Sequence, residues 1–298
     1  MTPLLRSRGP WRAQSAVRVI TVASCLVATT LVVAPTPPAQ ATRVTVTPVR
    51  ASTASTSRSD GPYVALGDSY SAGVGTRSRT TPICERARFG YPRLIAAEAG
   101  LTLDYQACAG ATIAMIRAAQ VPKLTANTRY VTITAGGNDV GFLPAVIACA
   151  LPASRLLCGV KTAAARRVTR TSLAGRLGGL FADIRRKAPT AAVVVSGYPR
   201  LFSGRDCSLF TFFATREQRA FNAATDEVDE VIRARAAAAG FGYVDVRGAF
   251  DGHGLCTSSP WLTNLIVPLD ESFHPNREGN RAYASALAPR LLGSAMRR

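Results

Sequence analysis

Histidine is nearly absent from this chain: only His253 and His274 occur in 298 residues. Zinc sites draw on histidine and on closely spaced cysteine pairs. With two histidines and no C-x-x-C among seven cysteines, no metal is expected. Acidic residues are also scarce, 18 against 36 lysines and arginines, giving a formal charge of +18. So basic a surface attracts anionic lipid headgroups, acidic polysaccharides or nucleic acid. The paired arginines Arg166, Arg167, Arg185 and Arg186 are not interleaved with aromatic residues, so no specific nucleic-acid partner is expected. Apolar runs of membrane-spanning length are missing beyond residue 33, and no repeat of solenoid or propeller period is visible. Gly73-Val74-Gly75 lacks the spacing of a dinucleotide loop, and no cofactor is expected.

What is present begins with an export signal. Arg6, Arg8, Arg12 and Arg18 precede an apolar run, Val19 to Val33, and small residues ending Ala39-Gln40-Ala41. That order predicts a signal peptide over residues 1–41 and a secreted protein, and a monomer is expected. A competing reading lipidates Cys25 within Val22-Ala23-Ser24-Cys25, although the apolar stretch before it is short for a signal core. The first 41 residues hold four arginines and no acid, so the remainder keeps +14, which fits peripheral contact with an anionic interface. Residues 42–60, rich in Ser, Thr, Val and Arg, read as a flexible linker. Six cysteines remain, Cys84, Cys108, Cys149, Cys158, Cys207 and Cys256, an even count that suits disulfides in an exported chain. Spacing alone does not choose a pairing; taking them in order, 84–108, 149–158 and 207–256, is the simplest.

From residue 61 to the C-terminus the pattern is that of one α/β domain. Short apolar runs at Tyr63–Leu66, Leu101–Tyr105, Tyr130–Thr134, Ala191–Ser196 and Phe241–Val246 predict buried strands. Helical periodicity separates them. The best helix spans Arg216 to Ala239, with Phe221, Ala224, Val228, Val231 and Ile232 on one face, a capping box from Thr215 and Gln218, and Gly240 at its end. Another helix is expected from Arg277 to Leu292. Alternating strands and helices imply parallel units and a three-layer α/β/α sandwich around a mostly parallel, five-stranded sheet.

In such sheets, ligands gather at the carboxyl ends of the strands. The first strand ends in Gly67-Asp68-Ser69-Tyr70-Ser71-Ala72-Gly73, placing a serine in a strand-to-helix turn where the helix N-terminus stabilises developing negative charge. Gly110, after the Leu101–Tyr105 run, can offer a backbone N–H, and Asn138 in Gly136-Gly137-Asn138-Asp139 a side-chain amide. A hydroxyl needs a base, and histidine suits near-neutral pH. His274 lies in Asp270-Glu271-Ser272-Phe273-His274-Pro275-Asn276, just before the last helix. His253, close to Cys256, suits a structural loop. Asp68 and Asp139 read as anchors of their turns, and residues 142–173 as a source of a lid.

These four blocks, in this order, resemble the GDSL or SGNH hydrolase family, and more narrowly its secreted actinobacterial lipases and esterases, over residues 62 to 292. The resemblance implies a flavodoxin-like SGNH fold and an ester hydrolase with Ser69 as nucleophile and His274 as general base. It also implies an oxyanion hole from Ser69, Gly110 and Asn138, and it is consistent with the sequential disulfide pairing. The family usually carries aspartate three residues before the histidine. Here Glu271 stands there and Asp270 one step further back, so Glu271, Asp270 or a main-chain carbonyl orients His274. Acyl glycerols or phospholipids are the expected substrates. A polysaccharide acetylesterase of the same fold and a catalytically inactive binding protein are the alternatives.

Overall fold

The computed structural model describes residues 62–150, 155–205 and 213–295; the expected signal peptide (with Cys25), the expected linker and Cys207 lie outside the described residues. Five strands form one sheet: β1 (Pro62–Gly67), β2 (Thr102–Tyr105), β3 (Tyr130–Thr134), β4 (Ala192–Ser196) and β5 (Gly242–Val244). Their order is β2-β1-β3-β4-β5 and every pairing is parallel, so the sheet is wholly rather than mostly parallel. β3 and β4 are buried at every position and β1 at all but its first, as expected of strands covered on both faces. β5 is shorter than its apolar run and only half-buried, because an edge strand needs less covering.

The helices are α1 (Ser69–Ala72), α2 (Tyr91–Ala99), α3 (Ile113–Met115), α4 (Phe142–Ala150), α5 (Arg155–Val168), α6 (Ala174–Lys187), α7 (Thr215–Ala238) and α8 (Arg277–Ala295). α2 and α8 pack together on one side of the sheet; α6 and α7 pack together on the other. α5 passes through a π-turn at Thr169–Leu173 into α6. At the start of α7 the capping differs from expectation. Ala214 is the cap position, and Glu217, not Gln218, reaches back to accept the Ala214 N–H at 2.9 Å. Gln218 instead donates to the Phe213 carbonyl. The helix begins one residue earlier than Arg216, which shifts the third helical position onto the carboxylate.

Among the described residues two disulfides are formed, Cys84–Cys108 and Cys149–Cys158. The first ties the loop after α1 to the loop after β2, and the second staples α4 to α5. The expected lid segment is therefore an α4–α5 hairpin; α5 also packs against α7. The third expected pairing, 207–256, falls on Cys207, outside the described residues. Because Cys84 and Cys108 are 24 residues apart, replacing both by alanine should lower unfolding free energy by about 3 kcal/mol in the chain-entropy view. Denaturant titration of the double variant checks this; a loss below about 1 kcal/mol would mean that native packing alone holds the two loops together.

Candidate active site

β1 and β3 pair in register up to Gly67 opposite Thr134, and their ends begin the site. Gly67 has φ +124°, and a Cβ there would collide with the Thr134 backbone, so only glycine lets the chain turn off the sheet this tightly. The buried backbone of Gly67 is satisfied by Gln120, which accepts the Gly67 N–H at 2.7 Å and donates to its carbonyl at 2.9 Å. The next residue, Asp68, caps α1: its Oδ1 accepts the Tyr70 N–H at 3.0 Å and the Thr134 hydroxyl at 2.7 Å. Its Oδ2 accepts the Tyr198 hydroxyl at 2.5 Å. Burial pushes the Asp68 carboxyl up to about 6, with these hydrogen bonds opposing the rise. Asp68 is thus an anchor, as read from the sequence.

Ser69 is the first residue of α1. Its Oγ lies 2.8 Å from Nε2 of His274, although 205 positions separate them. The other ring nitrogen, Nδ1, lies 2.8 Å from the main-chain carbonyl of Ser272. A carbonyl only accepts, so Nδ1 carries the proton and Nε2 is left as an acceptor for the serine hydroxyl. Burial lowers the imidazole to about 4 against weaker opposing effects from the Ser272 carbonyl, Glu271 and Asp270. The ring is therefore neutral at physiological pH.

Glu271 takes a different role. Its carboxylate accepts the N–H of Gly75 at 2.5 Å, the N–H of Arg77 at 3.3 Å and Nε of Arg79 at 3.1 Å. It bolts the segment after α1 to the segment before His274. Gly75 presses against the histidine from that segment: with φ +96°, its Cβ would stand 2.8 Å from the Cβ of His274. Asp270 pairs with Arg79 at 2.6 Å. Of the three orienting groups left open by the sequence, the main-chain carbonyl contacts the ring.

Gly110 has φ +73° and open space around its Cα, in a loop held by the Cys108 N–H to the Gly67 carbonyl at 3.0 Å. The N–H groups of Ser69 and Gly110 donate to no described residue. Asn138 spends one amide hydrogen on the Ala111 carbonyl at 3.0 Å, which fixes its plane and leaves the second available. Asp139 accepts the Ile113 N–H at 2.8 Å, joining the Asn138 turn to the segment after Gly110. Ser69, Gly110, Asn138 and His274 all line one cavity of about 270 Å³, whose walls include Tyr70, Val74, Ile83, Phe142, Leu143 and Tyr198. His253 lies elsewhere, stacked on Trp261 with Nδ1 2.8 Å from the Ser259 carbonyl. Among the described residues no cluster of three His, Cys, Asp or Glu side chains is arranged to hold a metal.

Sequence reading missed Tyr198, Gln120 and Arg79. Tyr198 was findable, since it follows the carboxyl end of β4, where sheet sites collect. Gln120 and Arg79 give no signal, because their partners are distant in sequence.

Comparison with known proteins finds likenesses among lipases of one family. The GDSL-like Lipase/Acylhydrolase family matches residues 65–282. A protein named Lipase 1 from Streptomyces coelicolor is 39% identical over 238 residues, 78% of this chain and 86% of that protein. The crystal structure of an extracellular lipase from Streptomyces rimosus superposes with a TM-score of 0.72 at 37% identity, covering 79% of this chain and 99% of that one. The phospholipase A1 of Streptomyces albidoflavus superposes equally well, 0.72 at 35% identity, over 78% of this chain and 98% of that one.

Two outcomes follow from the imidazole's surroundings. Removing a carboxylate that sets a catalytic tautomer costs about 10⁴ in turnover; Glu271→Gln should stay within about tenfold of wild type while lowering the melting temperature. A loss of several orders of magnitude with the melting temperature unchanged would return the orienting role to Glu271. The acid limb of kcat/KM, which reports the free base, should fall near pH 4, with activity lost as the ring gains a proton below it; a limb near the ordinary histidine value of about 6.5 would contradict the burial effect.

Proposed function

Because the chain belongs to the GDSL-like lipase/acylhydrolase family, we propose that it is an exported lipase that cleaves acyl glycerol or phospholipid esters through an acyl-enzyme on Ser69. The family makes it an ester hydrolase. The observation that carries the mechanism is the 2.8 Å contact between Oγ of Ser69 and Nε2 of His274 inside one cavity. As Oγ attacks the ester carbonyl, its proton passes to Nε2 and the carbonyl oxygen becomes an oxyanion. The N–H groups of Ser69 and Gly110 and the amide of Asn138 receive that charge; each such donor is worth about 10²–10³ in turnover. Collapse expels the alcohol, which leaves with the proton from His274. Water then repeats the sequence on the acyl-enzyme and releases the acid, regenerating both side chains. The imidazolium formed between steps is favoured by the Ser272 carbonyl at Nδ1.

Phenylalanine, leucine, valine and isoleucine in the cavity wall suit an acyl chain better than a sugar. Export is supported by the two formed disulfides and by the likeness to a lipase described as extracellular. A fluorophosphonate probe should label the wild-type protein and not Ser69→Ala, and Ser69→Ala should lose on the order of 10⁶ in kcat. Nitrophenyl esters of medium acyl chains should be preferred to acetate. Absence of labelling in the folded wild type would sink the mechanism, and a clear preference for acetate would move the substrate to acetylated carbohydrates.

A further inference from the structure

Large apolar side chains exposed to solvent are not scattered over this molecule. Among the described residues they are Ile83, Met115, Leu143, Ile147, Leu156, Leu157, Val160, Val267 and Leu269. They fall in four segments: the loop after α1, the segment after Gly110, the α4–α5 hairpin, and the residues leading to Glu271. Ile83 and Leu143 also line the catalytic cavity, at 87% and 37% exposure. Large apolar side chains left in water are costly, and where they flank a cavity they mark a surface that meets something apolar.

The hairpin adds charge of one sign. Between Asp139 and Asp183 the sequence has no acidic residue and six basic ones. Helical spacing puts Leu156, Val160, Ala163 and Arg167 on one stripe of α5, apolar at its start and cationic at its end. Beside that end runs a groove of about 890 Å³ lined by Arg166, Arg167, Arg170 and Arg216 against a single glutamate, Glu217. Arg166 and Arg170 are engaged by Glu227, whereas Arg167 and Arg216 make no ion pair among the described residues. At the cavity mouth the two carboxylates, Glu85 and Asp270, are bridged by Arg79, which offsets their repulsion of an anionic surface.

We propose that the α4–α5 hairpin and the exposed apolar residues at the cavity mouth dock the enzyme onto an anionic phospholipid bilayer, the leucines and valine entering the headgroup boundary and Arg167 and Arg216 holding phosphates. This deepens the lipase reading and rests on it for the purpose of docking, but not for its test. Apolar insertion and cationic attraction add in such interfacial contacts, and the bilayer brings ester bonds to the mouth beside Ile83 and Leu143.

Ser69→Ala protein, which cannot consume the lipid, is sedimented with vesicles of equal parts phosphatidylglycerol and phosphatidylcholine, and with phosphatidylcholine alone. Strong partition to the first and weak partition to the second is expected. Leu156→Ser with Val160→Ser, and separately Arg167→Glu with Arg216→Glu, should each weaken partition at least tenfold, the wild-type arginine contribution fading with added salt. In the Ser69 background these variants should leave nitrophenyl acetate turnover unchanged, which also establishes that they fold. Equal partition to both vesicle types, no partition, or wild-type partition by both variant pairs overturns the proposal. Failure of the ester assay with intact vesicle binding would instead count against the lipase reading alone.

Discussion

The carboxylate of Asp68 draws three strand ends to one point. Through Oδ1 it holds the first turn of α1 and the Thr134 hydroxyl at the end of β3; through Oδ2 it holds the Tyr198 hydroxyl beyond β4. Tyr198 in turn accepts the Gly137 N–H at 3.1 Å, next to Asn138, while its own N–H is taken by Asp229 of α7 at 2.9 Å. The serine turn and the asparagine turn are therefore set by one buried acid rather than by independent loops. Burying a carboxylate is expensive, and Asp68 is raised to about 6 by that burial. The cost is offset by a full set of donors, and the result is a fixed spacing between the Ser69 and Asn138 turns, which the proposed acyl-enzyme mechanism requires.

On the histidine side the labour is divided differently from a three-side-chain triad. The Ser272 carbonyl sets the tautomer, so Glu271 is free to clamp the segment that carries Gly75 and Arg77. Arg79 ties Glu85, Asp270 and Glu271 together, and Cys84 beside Glu85 ties that same loop to the one preceding Gly110. Donor loop, histidine loop and the segment after α1 are thus mutually braced, with Glu271 buried at the centre and Arg79 and Asp270 at the surface.

Much of this was legible in the sequence because it is local. Buried parallel strands announce themselves as unbroken apolar runs, and the residues at their carboxyl ends give Ser69, Gly110 and Asn138 their places. Only two histidines had to be weighed, and their surroundings separated them. The orienting group was not legible, since a main-chain carbonyl leaves no mark on composition and the nearby Glu271 and Asp270 gave a misleading one. The partners of Asp68 and Gly67 were equally hidden: Tyr198 and Gln120 lie 130 and 53 positions away. The start of α7 was misjudged by a single residue, which is enough to exchange the roles of Glu217 and Gln218.

An orienting carbonyl has a property that no side chain shares: substitution cannot delete it. Whatever residue occupies position 272, an acceptor remains there. What can be lost is its aim, and that is set by conformation. Phe273, between the carbonyl and the ring, holds φ +61°, a region that non-glycine residues rarely adopt, and its own carbonyl is gripped by the Tyr70 hydroxyl at 3.1 Å. Inheritance of this dyad therefore hinges less on keeping a charge than on keeping a bend. The changes able to silence it lie at uncharged residues, the buried Phe273 and the cavity-wall Tyr70, that take no proton in the chemistry.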